Sequence, residues 1–193
     1  MSFLPNDYKI PAGPSNYMKF EPGANKFRIV GDAITGYEYW TEKDDKKSPV
    51  RVKKLSDVPV ARRFGEDRAK HFWAFPVYNY SSEQVQVLSI NQVTIQTVIE
   101  AYTSNPDWGN PKEYDITVTK KGEGWDTEYI VTPSPKKPIS EEIASLVSGT
   151  PIRMEALFTN EDPFEIAIEP TEIGPDDLDV DKLVPLNGKK KRK

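Results

Sequence analysis

The chain has 193 residues, a formal net charge of −4, 17 prolines and no cysteine. This length suits one domain with appendages, and the absence of cysteine excludes disulfides and thiolate metal sites. No apolar run approaches the ~20 residues of a membrane span, and residues 1–10 carry no signal-peptide pattern, so a soluble intracellular protein is expected.

The charge is distributed in blocks. Lys43 to Lys70 holds ten cations against five acids, Glu155 to Asp181 holds ten acids and no cation, and Gly188 to Lys193 is a glycine followed by five cations. Separated blocks of opposite sign point to interactions more than to fold.

In chain order, Met1 to Pro14 has prolines and no period, and reads as an extended arm ending near residue 17. Lys19–Asn25 turns into a strand over Lys26–Val30, where Phe27 and Ile29 alternate with Lys26 and Arg28. Tyr37–Thr41 is a second, aromatic strand. Residues 42–70 are a basic insertion without sustained period, either functional or a solvated, mobile loop. His71–Tyr80 is a strongly aromatic strand that Pro76 assigns to an edge or bulge, and Val85–Ile90 is its hairpin partner.

Ser89 with Gln92 spells a capping box for a helix whose face is Ile95, Val98, Ile99 and Tyr102. That helix is rich in β-branched residues, so packing must hold it. Asp115–Thr119 and Asp126–Thr132 form a hairpin around Lys120-Lys121-Gly122-Glu123-Gly124, with Trp125 and Tyr129 on the returning strand. Alone, this hairpin is either a nucleic-acid contact or a solvated loop. Pro133–Pro138 is a stiff linker. Ser140 caps a short helix with Ile143, Leu146 and Val147 on its apolar face and Gly149 at the C′ position. From Thr159 onward the sequence is acidic, proline-bearing and read as a disordered tail.

The expected fold is mainly β: an OB-like five-stranded barrel, closed or half-closed, with one helix between strands three and four, a short C-terminal helix and a disordered acidic tail. The domain spans 18–158, with the insertion at 42–70 and the tail at 159–193.

Catalytic chemistry is sparse. His71, the single histidine, lies among aromatics with no nucleophile pattern around it, and is read as packing or stacking. No phosphate-cradling glycine loop or His/Cys metal cluster is present. Asp126 and Glu128 on one strand face suggest a divalent metal site for a nuclease, but a solvated polar face explains them better. Neither a cofactor nor a metal is expected.

Binding chemistry is abundant. Aromatic rings accept any base by stacking, and cations follow the phosphates. Tyr37, Tyr39, Trp40, Phe72, Trp73, Tyr78 and Tyr80 are the candidate stacking residues. Arg51, Lys53, Lys54, Arg62, Arg63, Arg68, Lys70, Lys120 and Lys121 are the candidate phosphate contacts. Trp125 either stacks on a base or plugs the barrel end. Alternation places about half of the aromatics inside: Trp73, Phe75 and Val77 on one face, Phe72, Tyr78 and Tyr80 on the other. A second reading makes the aromatic strands a protein interface of an interaction or virion module.

Several stretches together resemble the single-stranded-DNA-binding proteins of tailed bacteriophages. They are Phe75-Pro76-Val77-Tyr78-Asn79-Tyr80, Val85–Ile90, Asp107-Trp108-Gly109-Asn110-Pro111, Tyr114-Asp115-Ile116, Gly122–Tyr129 and Val131-Thr132-Pro133, with Lys19–Ile29 before them. The resemblance covers roughly Met18 to Pro138. It implies a helix-destabilising protein with an oligonucleotide-binding barrel that coats single strands during replication, recombination and repair in the bacterial cytoplasm. It also implies an acidic tail that docks replication and recombination proteins of phage or host; self-association along DNA is left open by the sequence. Two departures stand out. Some members hold a structural zinc with Cys and His, a site this chain cannot build. Lys189 to Lys193 ends the tail in basic residues, as added phosphate contact or as a foreign extension.

Overall fold

Alternating burial drives the first long strand. Phe27 and Ile29 turn into a core, while Lys26 and Arg28 take the opposite face. The computed structural model describes residues 15–43 and 46–165. Its strands are β1 (Tyr17–Met18), β2 (Gly23–Ile29), β3 (Ile34–Lys43), β4 (Lys46–Val52), β5 (Lys70–Asn79), β6 (Gln84–Ile90), β7 (Asp115–Lys121) and β8 (Glu128–Pro133). Two α-helices follow the same order, α1 (Val93–Ser104) after β6 and α2 (Glu141–Ser148) after β8.

The strands form one mixed sheet in the order β1-β6-β5-β2-β7-β8, with β3 paired to β5 and β4 paired to β3. The protein is mainly β. Taken alone, β2, β5, β6, β7 and β8 lie in the order third, second, first, fourth, fifth, with α1 between third and fourth. That is an OB-like arrangement, partly open rather than closed. Among the described residues β8 pairs only with β7, and β1 runs parallel along β6 where a closing strand would lie. The β7–β8 hairpin therefore does not close the barrel by hydrogen bonds. Instead, α1 packs beside β8, and Ile95 and Ile99 sink into the core with Tyr129 and Val131 packed against it.

Burial on both faces of β5 explains its near-continuous apolar sequence. One face carries Phe75 and Val77 into the main cluster with Phe27, Leu88, Ile90, Ile116 and Val118. The other face carries Phe72 and Ala74, which with Val87 pack under Leu157; Ile152, Met154, Phe158 and Phe164 lie around them. The chain after α2 thus forms a strap across the outer face of β5 and β6. Burying Phe72, Val87 and Leu157 there contributes about 1.5–3 kcal/mol each.

Several expectations are corrected. The described residues of the basic insertion carry regular structure: β3 and β4 form a hairpin, and two 3₁₀ turns at Leu55–Asp57 and Val60–Arg62 lead into β5. Pro76 is not at an edge, since β5 is flanked by β6 on one side and by β2 and β3 on the other. Its carbonyl accepts from Val30 N–H at 3.0 Å, so its nitrogen faces the gap after β2 ends and before β3 begins, where no ladder bond is lost. Gly31 makes that bend, because any Cβ there would collide with the Pro76 ring.

The capping box is absent: Ser89 belongs to β6, and α1 begins after Gln92 without a side-chain cap. Gln96 instead ties the helix down, donating from Nε2 to the Ile90 carbonyl at 3.0 Å. Trp125 and Asp126 sit in a 3₁₀ turn before β8, which separates Asp126 from the Glu128 strand face. The expected cap at Ser140 is present, its Oγ accepting from Ile143 N–H, but Gly149 ends α2 with a right-handed φ of −80°. Finally, Thr159–Glu165 belongs with the strap, since Phe164 packs on it and Arg153 N–H donates to the Pro163 carbonyl at 2.8 Å. The arm at 1–14 and the rest of the tail lie outside the described residues.

Candidate nucleic-acid interface

Two polar constellations stand out, and they differ in kind. The first is buried. Register places Arg28 of β2 opposite Asp115 of β7, and both side chains are almost wholly enclosed. Arg28 Nε donates to Asp115 Oδ1 at 2.7 Å and Tyr80 OH donates to the same oxygen at 2.9 Å. Lys26 and Lys137 stand 3.0 and 3.3 Å from Oδ2, and Arg28 Nη1 donates to the Lys137 carbonyl at 3.0 Å.

Burial pushes the Asp115 carboxyl up, but hydrogen bonds from Lys26, Tyr80 and Arg28 outweigh it and hold the group below the usual carboxylate range. Burial and the hydrogen bond to Asp115 push the Tyr80 phenol up to about 12. This network staples β2, β7 and the 134–138 segment together. The segment also lies along β7, Ser134 N–H donating to the Asp115 carbonyl at 2.8 Å.

The second constellation is open. The β3–β4 hairpin extends past the N-terminal end of β5, and the 55–69 segment folds back beside it. Between them lies a groove of about 250 Å³ bordered by Tyr39, Trp40, Lys47, Arg62, Arg68, Lys70 and Asn91, with Glu38, Glu42, Glu66 and Asp67. Trp40 is 53% exposed. Its cross-strand partner is Pro49 on β4, which pairs only with β3 among the described residues.

The groove is mixed in charge. Glu38 is held by Arg51 through two bonds of 2.8 Å to one oxygen, and Asp67 stands 3.7 Å from Arg62. Arg68 and Lys70 make no ion pair among the described residues.

Tyr39, Trp40, Arg62, Arg68 and Lys70 are therefore brought together around one groove. Other candidates are not. Phe72 is fully buried and Tyr78 nearly so, Phe72 under the strap, which removes both as stacking residues in this conformation. Trp73 is half-buried against the main core. Tyr37 packs edge-on to His71 with centroids 5.4 Å apart, and Tyr80 is committed to Asp115 with the Lys26 ammonium 4.5 Å from its ring centre.

Several cations hold structure. Arg51 pairs with Glu38, Lys53 pairs with Glu155 at 2.6 Å, and Arg63 donates to the Val58 and Ser56 carbonyls at 2.8 and 2.7 Å. Lys54 is exposed beside the first 3₁₀ turn.

Lys120, Lys121 and Trp125 lie elsewhere. The register pairs Lys120 with Gly23 at the start of β2, while β2 meets β5 only at its Asn79 end. The β7–β8 tip and the β3–β4 groove thus flank opposite ends of β5, a strand about 30 Å long. Trp125 is fully exposed and plugs nothing. Lys120 donates to the Phe20 carbonyl at 3.2 Å, and Lys121 is exposed. Lys47 and Asn91 border the groove but escape a reading of the sequence. Lys47 is one lysine among many, and Asn91 falls in the expected cap. Among the described residues no group of three or more His, Cys, Asp or Glu is placed to hold a metal ion, and no helix is long and apolar enough to cross a membrane.

Comparison with known proteins bears on these surfaces. The chain is similar to a probable ssDNA-binding protein of Escherichia phage T5, at 29% identity over 141 residues that cover 60% of this chain and 53% of that protein. It spans about half the length of that curated relative. No family model matches. The resemblance to phage single-stranded-DNA-binding proteins read from the sequence is borne out by this similarity.

Proposed function

We propose that the chain binds single-stranded DNA in the groove between the β3–β4 hairpin and the 55–69 segment, and that it binds without cleaving. The observation that carries this is Trp40, over half exposed on a paired hairpin and bordered by Tyr39, Lys47, Arg62, Arg68 and Lys70. An exposed indole accepts any base, and the flanking cations accept the backbone. The T5 relative, a probable ssDNA-binding protein, supports the same reading. Lys121 and Trp125 at the β7–β8 tip give a second contact as the strand continues along the molecule.

In the cell this activity coats and protects single strands during phage replication, recombination and repair in the host cytoplasm. Residues 18–165 form the binding domain, and the acidic tail beyond them docks replication and recombination proteins.

Tryptophan fluorescence tests the proposal. Oligo-dT should quench the wild-type signal, and Trp40→Ala should remove much of that quench. A quench that survives in Trp40→Ala and vanishes in Trp125→Ala moves the site to the other tip. A protein-interaction module is favoured by a different feature, the solvent-exposed Leu55, Val60 and Phe64. It predicts no quench with any oligonucleotide.

A further inference from the structure

The segment from Leu55 to Ala69 displays large apolar side chains that its own fold does not use. Val60 is mostly exposed and Phe64 is 77% exposed. Slackness does not explain this, because the segment is built. Val58 is buried and anchors it, Arg63 clamps the Val58 and Ser56 carbonyls, and Ala69 N–H donates to the Arg62 carbonyl at 2.7 Å. Phe64 follows the clamping Arg63 directly. Gly65 then turns the chain at φ +90° with no atom near its Cβ position, a conformation that disfavours other residues. A ring held out by a pre-ordered segment loses little entropy when something stacks on it.

We propose that Phe64 is a nucleobase-stacking residue, a second platform beside the groove that Trp40 borders. Its sequence neighbours Arg62, Glu66, Asp67 and Arg68 line that groove together with Tyr39 and Trp40. Charge selects the occupant. From Arg62 to Lys70 there are four cations (Arg62, Arg63, Arg68, Lys70) against two carboxylates (Glu66, Asp67). An aromatic ring set in net positive charge fits the unstacked bases and phosphates of a single strand. Duplex DNA offers no free base face to it.

This inference rests on the function proposed above, and its test separates the two. Labelled oligo-dT is titrated against the full chain, Phe64→Ala, Phe64→Leu and Trp40→Ala, with thermal melts to confirm folding and sedimentation to follow self-association. Phe64→Ala should bind about 5- to 150-fold more weakly. Phe64→Leu should be as weak, since it keeps apolar bulk and loses the ring. The salt slope should be unchanged in both, because no charge is removed. If Phe64→Leu restores affinity, or if both variants bind like wild type while Trp40→Ala is weakened, the Phe64 inference is overturned and the binding function stands. If Phe64→Ala instead abolishes self-association with affinity intact, the ring is a contact between copies of the chain and the inference is overturned. If the wild type does not bind oligo-dT, both readings fall.

Discussion

Asp115 shows how one residue governs the stability of this chain. Its pKa is lower folded than unfolded, so the stability it contributes is present above the unfolded value of about 3.9 and is lost as pH falls through the folded one. Asp115→Asn leaves the buried Arg28 guanidinium uncompensated and should cost about 3–5 kcal/mol in urea denaturation. Tyr80 has the opposite sign. Its phenol is raised to about 12, so its contribution is present below pH about 10 and is lost as pH rises toward 12. Tyr80→Phe should flatten that alkaline loss and lower stability at neutral pH by about 1.5–3 kcal/mol. In the sequence Arg28 and Asp115 look like ordinary polar positions of two alternating strands. Only the register, which pairs them across β2 and β7, makes them a buried ion pair.

At the scale of elements, strands with clear alternation were legible and elements masked by charge were not. The β2, β5, β6 and β7 spans follow from their apolar periods to within a few residues. The β3–β4 hairpin was hidden because lysines crowd β4, although Val50-Arg51-Val52 carries a strand alternation. Ser89 and Gln92 matched a cap, but β6 runs on to Ile90, which pairs with Trp73, and the ladder bonds outweigh a side-chain cap. Which face of β5 meets solvent was left open by its alternation, for a longer-range reason. A strap more than seventy residues later covers Phe72, and no local pattern announces it. The hairpin and the adjoining segment carry the binding predictions. Trp40→Ala should weaken oligo-dT binding by about 1–3 kcal/mol. Arg68→Ala with Lys70→Ala should flatten the plot of log affinity against log salt by about 0.7 for each phosphate left without its cation. A slope unchanged in that double variant would move the phosphate track elsewhere.

For the whole molecule, the strap divides the acidic C-terminal region into two parts. Up to Glu165 it is a layer of the fold. Leu157→Ala should therefore lower stability by about 2–5 kcal/mol, and a chain ending at Glu165 should melt like the full chain. Beyond it, residues 166–193 carry six carboxylates (Glu169, Glu172, Asp176, Asp177, Asp179, Asp181) and six cations (Lys182, Lys189, Lys190, Lys191, Arg192, Lys193). Converting those carboxylates to amides should tighten oligo-dT binding at low salt if they compete for the cationic groove. Unchanged affinity removes that role.

Single-strand binding at the β3–β4 groove is tested most directly by fluorescence anisotropy of labelled oligo-dT and of a duplex of equal length, titrated with the full chain across a salt series. The expected result is a clear preference for the single strand, log affinity falling linearly with log salt, and a reduced preference in Trp40→Ala. Equal affinity for the two forms, or a preference that Trp40→Ala leaves untouched, contradicts it.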